Sequence, residues 1–332
     1  MQYRDIAILK KASTRTTIST AIKAIIFFGV LVFIYLKIEE NPRKFGQVIK
    51  LFPSFLNSNG LVILAGLVVL TAINWILEGF KWQLLVKKVE KISLGKSVRS
   101  VLLGLSMGFI TPHALGDYAG RIWQLKGKKR VESLGAIMLG RAAQYFATFS
   151  FGLFGISYLL FFINGIEIFS LISFGLVTLS IASGGALFLF FRKGFLQILT
   201  LKRLKQFRKY FDIISQYSYQ EIVFLLGLAF LRYIIFALQF YLLLYFFGVS
   251  TDHLLLIAGV TWTLFAKSSI PSFNFLSDLG IREFSALYFF SYYSVDNTLV
   301  LLASFTLWCL NLLIPALIGL AGLLRMKIFA AS

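Results

Sequence analysis

Long unbroken apolar runs dominate the chain, and six of them, 19–36, 61–80, 134–162, 168–191, 221–247 and 299–324, are long enough to predict membrane-crossing helices. Two further segments have a different grammar. Residues 100–110, "SVLLGLSMGFI", give eleven apolar or small positions, followed by "TPHALGDYAGR" and the basic run Lys126 to Arg130. Eleven residues of helix reach roughly 16 Å, about half of a hydrocarbon core of about 30 Å. Pro112 is expected to end that helix and Gly116 to allow the chain to reverse. Residues 254–266 repeat the pattern, continuing through "KSSIPSFNFLSDLGIREF", with Pro271 and Gly280 as the breaking residues, into the apolar run Ser285 to Tyr293. Both segments are read as re-entrant hairpins, because non-helical backbone at membrane depth is tolerated only where protein or a watery cavity surrounds it.

Composition removes most other readings. Of 332 residues, 58% are hydrophobic and only 14% charged, with a mean hydropathy of +0.82, so no stretch is left for a separate soluble domain. Residues 1–332 are therefore expected to form one integral membrane domain, an all-α polytopic fold of about six full transmembrane helices plus two hairpins. The net charge of +19 is not gathered on one soluble face, which argues against nucleic acid. Lys and Arg instead alternate by loop: four before Ile18, six from Lys81 to Arg99, five from Arg121 to Arg130, seven from Arg192 to Lys209, then Arg325 and Lys327. The connections at 163–167, 248–253 and 292–298 carry none. The positive-inside rule places the basic group, and both termini, in the cytoplasm of a cell-membrane protein. The segment Lys37 to Ser58 is the exception, with four basic residues partly offset by Glu39 and Glu40. The basic N-terminal flank lacks a small-residue cleavage signal, so residues 19–36 read as an uncleaved first span.

With those orientations, residues 19–162, with a hairpin near 100–125, and residues 168–324, with a hairpin near 254–293, form two halves of opposite sense. Such an inverted repeat is the signature of transporters whose broken helices meet substrate near the midplane. Similarity between the halves is weak, so topology carries this expectation. One cysteine, Cys309, and two histidines give no disulfide or metal pattern, and no phosphate-binding loop is present; no cofactor and no metal are expected.

The candidate site residues are the ionisable groups predicted inside the membrane, where a charge costs on the order of 3 kcal/mol or more without a partner. Arg232 and Arg141 lie well inside their spans. Asp117 and Arg121 lie in the first hairpin, and Asp278, Arg282 and Glu283 in the second. Competing structural readings are snorkelling to the interface for the arginines and ion pairing that merely pins the hairpins. An arginine fork suits a phosphate because it stays charged and donates paired hydrogen bonds. The expected site is thus a hydrated cleft between the hairpins, with Arg232 and Arg141 engaging a phosphate and Glu283 and Asp117 holding or competing for those cations.

Three motifs carry a resemblance. "EGFKWQLLVKK" (78–88), "TPHALGDYAGR" (111–121) and "LGIREFSAL" (279–287) are similar to patterns of the transmembrane, flippase-like region of lysylphosphatidylglycerol synthases. The likeness covers most of the chain and departs from the family pattern at Leu276, Ser277 and Asp278, where Pro-Gly-Gly is usual. It implies lipid translocation or an associated membrane function and does not imply the synthase chemistry; the expectation is a translocator of an anionic phospholipid or lipid-linked headgroup, with membrane lipids as partners, and not an enzyme. A non-transporting scaffold and a membrane-embedded lipid or polyprenyl-phosphate transferase are the alternatives, and the oligomeric state is left open. In a background with Cys309 replaced, Ser250→Cys and Asn297→Cys should react with an impermeant thiol reagent in intact cells, whereas Lys128→Cys should not; labelling at 128 from outside would sink the topology.

Overall fold

The computed structural model describes residues 57–109, 114–127, 130–164, 212–250, 252–270, 275–293 and 295–324, with isolated positions at 46, 50, 111 and 179. Among them the chain is helical and forms no strand. The helices are α1 (Ser58–Val86), α2 (Leu94–Phe109), α3 (Leu115–Trp123), α4 (Ser133–Asn164), α5 (Tyr219–Phe246), α6 (His253–Ser269), α7 (Phe275–Phe290), α8 (Asn297–Trp308) and, after one π turn at Cys309–Leu313, α9 (Ile314–Leu324). Gly60–Val86, Tyr219–Phe246 and Asn297–Gly322 are long and apolar enough to cross a membrane, and α4 runs for 32 residues. The predicted spans at 19–36 and 168–191 lie outside the described residues.

Helix α1 continues six residues past the predicted end at 80, because Trp82, Leu85 and Val86 keep the helical spacing of buried positions. Lys81, counted above with a basic loop, is therefore inside a helix. Helix α2 likewise begins at Leu94, earlier than the apolar run at 100, and its 16 residues give about 24 Å. Its start is tied down by Ser97, whose hydroxyl donates to the Gly79 carbonyl at 2.6 Å.

Helices α2 and α3 form an antiparallel pair of unusually close approach. A Cβ at Gly120 would sit 2.5 Å from the Cα of Gly104, and one at Gly116 would collide with the Met107 carbonyl. The reversal itself does not fall on Gly116, as expected from its freedom, but on Ala114, which has φ 52°. Gly116 serves the contact: only without a side chain can its backbone lie on α2, where its N–H donates to Thr111 Oγ1 at 2.7 Å. Pro112 and Pro271 lie outside the described residues. Below the pair, Glu90 accepts the N–H groups of Lys126 and Gly127 and pairs with Lys96 at 2.8 Å. Burial opposes ionisation of Glu90, but these donors outweigh it and hold its carboxyl below the ordinary value.

The second pair, α6 and α7, is also antiparallel: the Trp262 indole donates to the Ser285 carbonyl at 2.9 Å and stacks on Tyr288, while Gly259 faces Phe290. Helix α7 starts at Phe275, so the segment "LSDLGIRE" is helical and Gly280 lies inside a helix rather than at a break. A Cβ on Gly280 would meet nothing.

Packing between the two sets is reciprocal. Helix α2 lies on α9, where Ser106 donates to the Ala316 carbonyl at 2.6 Å, and α6 lies on α4, where Gly155 faces Ala258 and Trp262. Helices α1 and α5 run antiparallel, with Gln239 donating to the Leu67 carbonyl and to Thr71 at one end and Phe80 against Phe224 at the other. By these contacts α1 runs antiparallel to α5, α2 to α9 and α4 to α6. The π turn has a local cause. Pro315 has no N–H for the Asn311 carbonyl and crowds it, so the helix widens and the Trp75 indole donates to that carbonyl instead, at 3.1 Å. Gly120→Val should overpack the α2–α3 contact and cost about 1–3 kcal/mol, read as a lower melting temperature in detergent, whereas Gly280→Ala should leave it unchanged.

Candidate functional site

Four cations and two carboxylates converge where α1, α3, α4 and α5 meet. Glu78, in the C-terminal third of α1, is the hub: it lies 2.7 Å from Lys81 Nζ, 2.9 Å from Arg121 and 3.2 Å from Arg232. Asp117 is the second acid, 2.9 Å from Arg121 and 2.8 Å from Arg141. The i,i+3 spacing of Glu78 and Lys81 and the i,i+4 spacing of Asp117 and Arg121 put each pair on one helix face. The close α2–α3 approach at Gly104 then leaves Asp117 facing inward, 6% exposed.

Gln144 of α4 joins the helices: its amide oxygen accepts from Lys81 at 3.3 Å and from Arg232 at 3.4 Å, and its nitrogen donates to the Ala229 carbonyl. Aromatic faces supply the rest of the lining, with Arg232 5.6 Å from the centre of the Trp75 ring, Arg141 4.2 Å from Tyr118 and Arg121 5.9 Å from Trp82. The Trp75 ring thus touches Arg232 on its face while its N–H holds the carbonyl of the π turn.

Counting full charges among the described residues, Lys81, Arg121, Arg141 and Arg232 against Glu78 and Asp117 leave an excess of two positive charges. Arg232 stands about 20 Å along a helix about 42 Å long, which is the middle of a spanning segment. At that depth a charge without a partner costs on the order of 3 kcal/mol. Exposure is graded: the Lys81 side chain is 4% exposed, Arg121 11%, Arg232 20% and Arg141 34%. Arg141 and Arg232 are therefore the two most exposed of the four cations, and among the described residues the Nε of Arg232 has no hydrogen-bond partner.

Of the residues expected from sequence, Asp117, Arg121, Arg141 and Arg232 are brought together. Two expectations need correction. Arg232 pairs with Glu78, not with Glu283, because α1 lies against α5 at that level. The cluster also does not lie between the two hairpins: it is built from one arm of the first hairpin and three long helices. Arg282 and Glu283 are buried on α7, and among the described residues neither joins the cluster's ion pairs. Asp278 is helical, and its side chain lies outside the described residues. Glu78, Lys81 and Gln144 were missed. The available signal was Glu78 itself, the sole carboxylate between Glu40 and Glu90 and set in an apolar span.

The family model described as lysylphosphatidylglycerol synthase TM region matches residues 20–319. The chain matched no curated protein and no solved structure.

Glu78→Gln should leave Lys81 and Arg232 without their carboxylate and Arg121 with Asp117 alone, and cost about 3–5 kcal/mol, measured as thermal stability of the purified protein. Combining it with Lys81→Met should recover part of that loss, since one stranded cation is removed; equal damage in the double variant would show that Glu78 does not act as the charge hub.

Proposed function

The chain belongs to the lysylphosphatidylglycerol synthase transmembrane-region family, and on that premise we propose that it is a lipid translocator rather than an enzyme, moving an anionic phospholipid or lipid-linked headgroup across the cell membrane. Membrane lipids are its partners, and both termini face the cytoplasm. The observation that carries this reading is the excess of two positive charges that the cluster around Arg232 shows among the described residues. A headgroup phosphate is too costly to strip of water in hydrocarbon, and a site already carrying excess cations supplies the missing counter-charge. Arg232 and Arg141 bind the phosphate by paired hydrogen bonds, while Glu78 and Asp117 keep the cations assembled when the site is empty.

The hairpins α2–α3 and α6–α7 act as re-entrant elements, and the two helix sets as an inverted repeat. Supporting this are the nine-residue arm α3, too short to cross, and the opposite chain directions of α1 and α5. In such an arrangement, alternating exposure follows from rocking of one set against the other about a fixed midplane site.

Arg232→Gln should abolish movement of fluorescent phosphatidylglycerol in reconstituted vesicles, and Arg232→Lys should restore only part of it, since lysine keeps the charge but lacks the fork. Arg141→Gln serves as the milder probe: Asp117 keeps Arg121, so the protein should stay folded while transport falls about tenfold. Wild-type transport in both glutamine variants would rule the site out.

A further inference from the structure

A groove of about 520 Å³ runs between α2 and α9, lined by Arg99, Leu102, Leu103 and Gln124 on one side and by Ile318, Gly319, Ala321 and Gly322 on the other. Its volume falls within the range of about 300–1,000 Å³ typical of small-molecule sites. Its two ends differ. At the deep end the helices touch: a Cβ on Gly319 would run into the Leu102 carbonyl, and Ser106 bonds the Ala316 carbonyl. One turn further along α9 the helices have parted, and a Cβ on Gly322 would meet nothing. The open end lies where Lys87, Lys88, Lys91, Lys96 and Lys126 gather, the end that the charge distribution assigns to the cytoplasm.

At that mouth Arg99 is exposed and enters no ion pair among the described residues, whereas Lys96, one turn before it, is held by Glu90. A guanidinium at the interface above an apolar trough matches one ligand shape: a charged phosphate at the water boundary with a hydrocarbon chain running inward beneath it.

We propose that this groove is a binding site for an anionic phospholipid of the cytoplasmic leaflet, with its phosphate on Arg99 and one acyl chain along Leu102, Leu103, Ile318 and Gly322. The site is separate from the charge cluster in its groups, yet Gln124 follows Arg121 by one turn of chain, so a lipid held here stands beside the cluster. Read with the proposed function, on which this second step rests, the groove is where the translocator holds its substrate before the headgroup moves inward.

The test uses the whole protein in phosphatidylcholine vesicles doped with phosphatidylglycerol or phosphatidylcholine bearing a diazirine on one acyl chain, with cross-links mapped by mass spectrometry. Phosphatidylglycerol labelling should concentrate on the peptides holding Leu102, Leu103 and residues 318–322, above the lipid-facing positions Val62, Val68 and Val69 of α1. Arg99→Gln should lower it about tenfold without changing the phosphatidylcholine signal. Gly322→Leu should fill the trough and remove labelling by both probes. Labelling no higher than on α1, or unaffected by either substitution, would overturn the site. Arg232→Gln separates the two readings: labelling that persists while transport is unaffected sinks the translocation site alone, and transport lost in Arg232→Gln without groove labelling in any variant sinks the groove alone.

Discussion

The arrangement depends on one constraint: a charge placed inside an apolar bundle must be answered by another charge or strong donor at hydrogen-bonding distance, or the helix carrying it will not stay there. Glu78 meets that demand for three cations drawn from three different helices. Its carboxylate therefore fixes the height of α5 against α1, through Arg232, and the depth of the short helix α3, through Arg121. Apolar packing alone would not set that register, because Leu, Ile and Phe faces slide past one another at little cost, and lipid is as apolar as they are.

Small residues make the charge constraint geometrically possible. Asp117 and Arg121 reach the hub because α3 lies almost on the backbone of α2, with Gly104, Gly116 and Gly120 at the contact. Larger side chains would push α3 outward by more than an ion pair can span. The π turn works on the opposite wall: Pro315 frees the Asn311 carbonyl, Trp75 turns its N–H toward it, and the indole face is left to Arg232. Through this indole the cluster touches α8–α9, the helix on which the first hairpin also packs. The cluster is thereby in physical contact with the helix that lines one side of the groove against α2.

Among the described residues the cluster holds two more cations than carboxylates, and removing one partner from such a buried network strands a charge. Gln144 and aromatic faces supply further contacts to those cations, and exposure rises from Lys81 to Arg141, the order in which the proposed function has an anion reach them. The proposed translocation follows from that composition.

Much of the architecture was legible from sequence because it rests on local, one-dimensional physics. Apolar run lengths fix which helices can cross a membrane, and the match of a family model over residues 20–319 agrees with the motifs at 78–88, 111–121 and 279–287. Helix breaks near 110 and 270 were likewise readable from the interruption of the apolar pattern. Partner identity was not. Arg232 looks isolated along the chain, and its acid, 154 positions away (232 − 78), is chosen by which helix lies against it. Lys81 read as a loop residue because a charge at the edge of an apolar run looks the same whether the helix stops or continues; only burial of Trp82, Leu85 and Val86 decides. Gly116 and Gly280 looked alike as chain-reversing residues, yet one is a contact and the other an ordinary helical position, since a glycine's role depends on what stands opposite its missing side chain. Sequence determines where charge and flexibility occur along the chain; tertiary packing alone determines which charges meet, because electrostatic pairing acts through space over a few ångströms and has no memory of chain distance.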